Sequence, residues 1–397
     1  MASARLRLLG FVVALTLGAT ACNGGDNRAV DGGRGPLGGS TVGAAATKTK
    51  SVELRAGLTY LLVEDVDLVG LAVGALTKGA AGPAVAGATR ALDDNGRAVA
   101  RALASSDPTT QALLLDSGRR RHAALLAEGA GRRAHDPART AAARAALAGQ
   151  DASFAALVHA SSPALAVAAV TVGLRGATAS LLAAVDAGAV DDPDAPELLA
   201  AAAGRARQTA SLLAAGIAAD RRLGSTTTRA AGVRAELTAL LVEHVYGVAA
   251  STAPGPGHGS AARALDHGSV ALAKVLARSH PEVEAPLLAT WREHIDFLRR
   301  YAGARGRHDA TAATAAQRSL DGDRRSFGAT VQQGVPQLPA DIIAGELIPH
   351  IAALLTALDD LVEGDPDLPL ALRAAAAAMP GLAAVLAGGL AEDEQLS

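Results

Sequence analysis

Six pairs of short motifs run through this chain in the same order at a nearly constant separation, and no other feature constrains the fold as tightly. Residues 54–66 read LRAGLTYLLVEDV and residues 233–245 read VRAELTALLVEHV, with nine of thirteen positions identical. Arg90-Ala91-Leu92-Asp93 then pairs with Arg263-Ala264-Leu265-Asp266, His122 with His294, His135-Asp136 with His308-Asp309, and Ser153-Phe154 with Ser326-Phe327. Last, Asp192-Pro193-Asp194-Ala195-Pro196 pairs with Asp365-Pro366-Asp367-Leu368-Pro369, and the spacing stays between 172 and 179 throughout. Anchors that stay collinear in this way imply two homologous units, 51–222 and 229–392. Each is far longer than a solenoid repeat and reads as a domain in its own right.

Within each unit the apolar residues follow a helical period, and strand-like alternation is scarce. Leu237, Leu240, Leu241 and Val248 form one stripe; Leu347, Ile351, Leu354, Leu355 and Leu358 form another. Breaks rich in Gly and Pro, such as Ala253-Pro254-Gly255-Pro256-Gly257 and Gly334-Val335-Pro336, separate these segments. In the second unit the pattern predicts helices near 229–250, 260–279, 282–304, 309–332 and 339–362, with a sixth Ala-rich helix near 368–390. The expected fold class is all-α: two tandem homologous helical bundles of five to six helices each. The apolar stretch 162–185 contains Pro163 and Arg175 and is expected to be a buried helix, not a membrane span.

Alanine-rich composition suits helices, since Ala is the best helix former. The formal net charge of -2 over 397 residues removes the electrostatic attraction on which nucleic-acid binding rests, so no nucleic-acid partner is expected.

The N-terminus has the pattern of an export signal. Arg5 and Arg7 precede an apolar run from Leu8 to Leu17, and Gly18-Ala19-Thr20-Ala21 leads to Cys22, the sole cysteine. The tetrad Ala19-Thr20-Ala21-Cys22 resembles a bacterial lipobox, although Ala19 stands where that pattern usually has Leu. The resemblance implies that residues 1–21 are removed and that Cys22 is acylated with diacylglyceryl and fatty-acyl (palmitate-type) chains. The protein would then be held on the extracytoplasmic face of the cell membrane. An ordinary secretory signal is the other reading. Residues 22–50 are rich in Gly, Ser, Thr and Ala without apolar periodicity, and read as a flexible tether. With one thiol in the chain, no disulfide can staple the mature protein.

Seven of the ten histidines lie in the second unit. His244 sits four residues after Leu240 and three after Leu241; His350 lies three after Leu347 and four before Leu354; His294 follows Trp291 by three and precedes Leu298 by four. Each therefore lies on the apolar face of its helix. Bundles assemble metal sites from ligands on separate helices, and imidazole suits Zn, Cu, Fe and Ni. His244, His294 and His350 are thus candidate ligands for Cu or Zn, with Glu243 and Asp266 as further ligands or as partners of the histidines. The alternative is that the three are packing histidines at different heights along the bundle. Neither Glu-x-x-His nor His-Glu-x-x-His spacing occurs among them. In the first unit Asp65 and Ala177 stand at the positions of His244 and His350, leaving His122.

No Ser/His/Asp arrangement and no nucleotide-binding glycine loop stands out, so no catalytic residue is assigned. Arg119-Arg120-Arg121, Arg132-Arg133, Arg299-Arg300 and Arg324-Arg325 read as solvated helix faces. In Asp-Pro-Asp-x-Pro the aspartate is expected to cap the following helix. Trp291, Phe297 and Tyr301 have the spacing of core residues.

The run LLVEHVY at 240–246, ARALDHGSVALAKVL at 262–276, LLATWREHIDFLRRY at 287–301, SFGA at 326–329 and LIPHIAALLTALDD at 347–360 resembles an uncharacterised helical module of exported Gram-positive proteins. That module sometimes occurs beside a copper-amine-oxidase-like N-terminal domain. The resemblance covers the second unit well and the first weakly. Its Glu-His, Trp-x-x-His and later His positions fall on Glu243-His244, Trp291-His294 and His350. A further His-Met pair falls on Ala378-Met379, so only the thioether of Met379 remains, a ligand suited to Cu(I). The resemblance carries no transferable activity.

Two functions fit these observations. One is a non-enzymatic, lipid-anchored envelope protein whose bundles bind a protein or small-molecule partner. The other is a metal-binding lipoprotein using His244, His294 and His350.

Overall fold

A computed structural model describes residues 45–77, 82–104 and 107–396, and Cys22 with the export signal lies outside the described residues. The secondary structure is helical, and no strand occurs among the described residues. The first half contributes α1 (Lys50–Thr77), α2 (Pro83–Ala104), α3 (Pro108–Arg133), α4 (Pro137–Ser161), α5 (Val167–Ala189) and α6 (Ala195–Asp220). The second contributes α7 (Arg229–Thr252), α8 (His258–Leu276), α9 (Glu284–Gly306), α10 (Ala310–Gly334), α11 (Ala340–Glu363), α12 (Leu368–Ala376) and α13 (Met379–Asp393). The single helix expected near 368–390 is in fact two. Pro380, in the first turn of α13, has no N–H to continue a preceding helix.

Local chemistry sets the helix ends. Asp107 and Asp136 accept hydrogen bonds from the backbone N–H of Thr109 and Arg139, in each case with a proline opening the helix; Asp309 accepts from Ala312. The residue before two of these caps is left-handed, His135 at φ 52° and His308 at φ 56°. The recurring His-Asp pairs are therefore turns, in which one residue leaves a helix and the next caps its successor. In Asp-Pro-Asp-x-Pro the side chains of Asp192 and Asp365 accept from the N–H of Asp194 and Asp367. Those aspartates hold the turn; neither Asp194 nor Asp367 caps its helix through a side chain.

Matched pairs recur elsewhere. Asp93 pairs with Arg119 and Asp266 with Arg292, each through two hydrogen bonds. Gly216 lies against Leu165 and Gly389 against Leu338, each so tightly that an added Cβ would come within 2.2 Å of the leucine Cγ. Every one of these residues lies 173 positions from its counterpart, a register that sets Arg121, not His122, opposite His294.

Helices α1 and α7 pack against each other at the centre, flanked by α6 and α8. Both are apolar around most of their circumference, as helices covered on several sides must be. The main core accordingly runs through both halves, from Val63, Leu68 and Val69 to Leu237, Leu241 and Leu390. A smaller cluster around Leu58, Leu103, Leu213 and Ile217 belongs to the first half. The described residues all fall in one compact unit. Its N-terminal edge reaches into the expected tether: Thr47 is buried, and the Arg234 guanidinium donates to its carbonyl.

Three stretches, Val167–Ala189, Ala340–Glu363 and Leu368–Asp393, are long and apolar enough to cross a membrane by length and composition. α5, expected to be buried, is so on one face only. Val170, Leu181 and Val185 enter the core, whereas Val172 is 69% exposed. Arg132, Arg133 and Arg325 lie on outer faces, where each meets an aspartate, whereas Arg324 and Arg121, expected there too, are largely covered and pair with Asp321 and Asp65.

Candidate metal centre

α7, α9 and α11 each turn one imidazole inward because His244, His294 and His350 occupy stripe positions that the core covers. The three are 3%, 1% and 0% exposed. They also share a height along the bundle: one ring nitrogen from each lies within 4.8 Å of the others, so the group can hold a metal ion. A tetrahedral ion with bonds of about 2.0–2.1 Å spaces its ligands roughly 3.4 Å apart. Coordination would draw the three ring nitrogens together from that spacing. Ring centroids are 5.7 Å apart for His244 and His294, 5.6 Å for His244 and His350, and 6.0 Å for His294 and His350.

Aromatic carbon walls one side. Trp291 lies 4.6 Å from the His244 ring and stacks on His294 at 5.3 Å, and Phe327 backs Trp291 at 5.0 Å.

His294 Nδ1 lies 3.0 Å from Asp323 Oδ2, and both side chains are 1% exposed. If Nδ1 donates to the carboxylate, the Nε2 lone pair is left free for an ion, the arrangement by which carboxylates orient metal-binding histidines. The other five ring nitrogens of the three residues make no well-formed hydrogen bond within the protein. The Ala375 carbonyl approaches His350 closely enough only to offset part of the effect of burial. Buried polar atoms without partners normally cost about 1–3 kcal/mol each, and the approach of one nitrogen from each ring to the other two fits a set of ligands better than packing.

Burial, and then the neighbouring imidazoles, push the His244 pKa well below its ordinary value and that of His350 down to about 3. At neutral pH both rings are uncharged and keep their lone pairs, as coordination requires.

Asp266 and Glu243 do not join the group. Asp266 lies on the outer side of α8, 42% exposed, held by the Arg292 guanidinium. It follows the buried Leu265 by one residue, a step that turns a helical side chain away from the core. Glu243 stands one residue before His244, a step that turns it off the site's stripe; its carboxylate lies 3.9 Å from Arg207 and lines a neighbouring cavity. Met379 is buried in the main core at the start of α13.

Asp323 was not singled out from the sequence, yet a signal was present. It lies three residues after Leu320 and four before Phe327, an acid inside the buried stripe of α10.

In the first half, Asp65 Oδ1 meets His122 Nε2 at 2.7 Å and Asp65 Oδ2 accepts from Arg121 Nη1 at 3.1 Å. Burial alone would raise the Asp65 pKa, but His122 and Arg121 together hold it down to about 2. Both oxygens of this carboxylate are engaged, one by an imidazole and one by a guanidinium.

No family model, curated protein or solved structure matches this chain.

Proposed function

We propose that this chain is a lipid-anchored protein of the cell envelope, made of two homologous helical units, 51–222 and 229–392, of which the second binds one transition-metal ion. The ligands are His244, His294 and His350, oriented through Asp323, and the ion is Cu or Zn, since three imidazoles without thiolates suit either. The convergence of three buried imidazoles is the observation that carries this reading. Matched caps, ion pairs and glycine contacts at a constant register support the duplication. The first unit, with Asp65 at the motif position of His244 and with Arg121 and Ala177 each 173 residues before His294 and His350, has lost the site or never had it. The function is binding, of metal and through it of a partner or small ligand, and not turnover.

The test is metal analysis of the mature full-length protein after equilibration with Cu or Zn and removal of loosely held ion. About one equivalent should remain in the wild type and almost none in His294→Ala or His350→Ala, while Asp65→Asn keeps it. Equal retention by wild type and histidine variants that still show native helicity would overturn the metal site. The anchor rests on Cys22, because acyl chains supply roughly 0.8 kcal/mol per buried CH₂. Cys22→Ser should release the protein or leave an unprocessed precursor. Wild-type protein that is soluble and carries no lipid mass would overturn the anchor.

A further inference from the structure

Beside the histidine layer lies a second feature that the metal reading leaves unused. A cavity of about 240 Å³ opens between α1, α5 and α6 of the first half and α7, α8 and α9 of the second. Most of its wall is carbon, from residues such as Leu71, Leu199, Leu240 and Leu272. Two carboxyl groups line this wall, Asp67 from α1 and Glu243 from α7. Asp67 is only 8% exposed, and its Oδ2 has no hydrogen-bond partner; nor does Glu243 Oε1. Burial, then Glu243 and Glu64, push the Asp67 pKa well above its ordinary value, and no cationic side chain offsets this. Arg207, 3.9 Å from Glu243, is the cation on the Glu243 side.

An acid kept in an apolar cavity without a partner is costly unless something compensates it. A hard metal ion would need several more oxygen ligands. The wall supplies few: beyond the two acids its side-chain oxygens are those of Ser269 and Tyr246, and the Tyr246 hydroxyl turns to Glu64. An organic cation needs only the acids and the carbon surface. Trp291 in the wall adds an aromatic face, which attracts cations as well as apolar groups.

We propose that this cavity binds a small apolar organic cation, its ammonium group held by Asp67 and Glu243 and its hydrocarbon part by the leucine-rich wall. A cavity of about 150 Å³ holds benzene, so this one accommodates a single ring with a short aminoalkyl chain. The inference does not depend on the metal site, although His244 borders both.

The probe is 2-phenylethylamine, compared by titration calorimetry with 2-phenylethanol and 3-phenylpropionate on the full-length protein. The amine should bind at least ten times more tightly than either analogue. Asp67→Asn should reduce amine affinity at least tenfold while leaving metal content unchanged. Gly268, on α8, lines the cavity, and a Cβ placed there meets nothing within 4 Å. Gly268→Leu should therefore fill the space and abolish binding in a protein that still folds, since Leu is the better helix former. Equal binding of alcohol and amine, no binding of any probe, or unchanged amine binding in Asp67→Asn would each overturn the proposal. So would Cu or Zn held at the cavity and lost on Asp67→Asn. Loss of metal in the histidine variants with amine binding intact would separate failure of one site from failure of the other.

Discussion

His294 and Asp323 meet across the α9–α10 interface, Nδ1 to Oδ2 at 3.0 Å, in a place from which solvent is excluded. The carboxylate fixes which nitrogen faces the other two imidazoles, and it places a negative charge behind a ligand that would carry part of the ion's positive charge. Asp323→Asn keeps the shape but removes the charge and permits the wrong tautomer. Metal affinity, measured by competition with a chelator, should fall about 10- to 100-fold. An unchanged affinity would reduce Asp323 to a packing residue.

The depressed histidine pKa values predict an unusual titration of the metal-free protein. Unfolded, each imidazole takes a proton near the ordinary value of 6.5; folded, His350 does so only near 3, and His244 is shifted the same way. Below pH 6.5 the unfolded state therefore holds more protons. The stability each neutral ring supplies is complete above 6.5 and lost as pH falls toward 3, at up to about 1.4 kcal/mol per pH unit per group. Glu243 has the opposite sign. Raised from 4.5 to about 7 by burial, it contributes stability present below 4.5 and lost as pH rises through 7. Global unfolding mixes the two effects, so the check is residue by residue. Ring ¹⁵N shifts of His244 and His350 should still report neutral imidazole at pH 5, and rings protonated there would contradict the burial argument.

The two halves are tied together by a buried charge. Glu64, on α1, is 0% exposed and accepts from Tyr60 Oη at 2.7 Å, Asn95 Nδ2 at 2.8 Å and Arg373 Nε, on α12, at 3.0 Å. Removing one member of such a pair leaves the other charge uncompensated. Arg373→Met should cost about 3 kcal/mol in urea unfolding, and adding Glu64→Gln should restore part of the loss. A cost below about 1 kcal/mol would show that the pair does not hold α12 to α1.

Gly216 and Gly389 test the equivalence of the halves. In each an added Cβ would fall 2.2 Å from the Cγ of a buried leucine, Leu165 or Leu338. Gly216→Ala and Gly389→Ala should each destabilise by about 1–3 kcal/mol, the clash outweighing the helix propensity gained. Closely similar costs are expected, and one variant tolerated without loss while the other unfolds would count against structural equivalence.

What the sequence determined by itself was whatever depends on local periodicity. Helical phase turned His244, His294 and His350 inward, because a 3.6-residue repeat is fixed by neighbours three and four positions away. The same phase carries a signal for Asp323, an acid in an apolar stripe that was not singled out, and against the candidate Asp266, one step off its own stripe. The His-Asp turns and the caps at Asp136 and Asp309 were equally local. Height along the bundle is not local. It depends on where each helix starts after its loop and how it crosses its neighbours, so only the tertiary structure could bring three imidazoles within 4.8 Å of one another. The same holds for the pairing of α1 with α7. Their all-round apolar character announced that both would be covered, but apolar surface is not directional, and which helices cover it is decided by packing. The cavity, its unpartnered Asp67 and the tie between Glu64 and Arg373 arise from that packing alone, since they join residues hundreds of positions apart or on opposite halves of the chain.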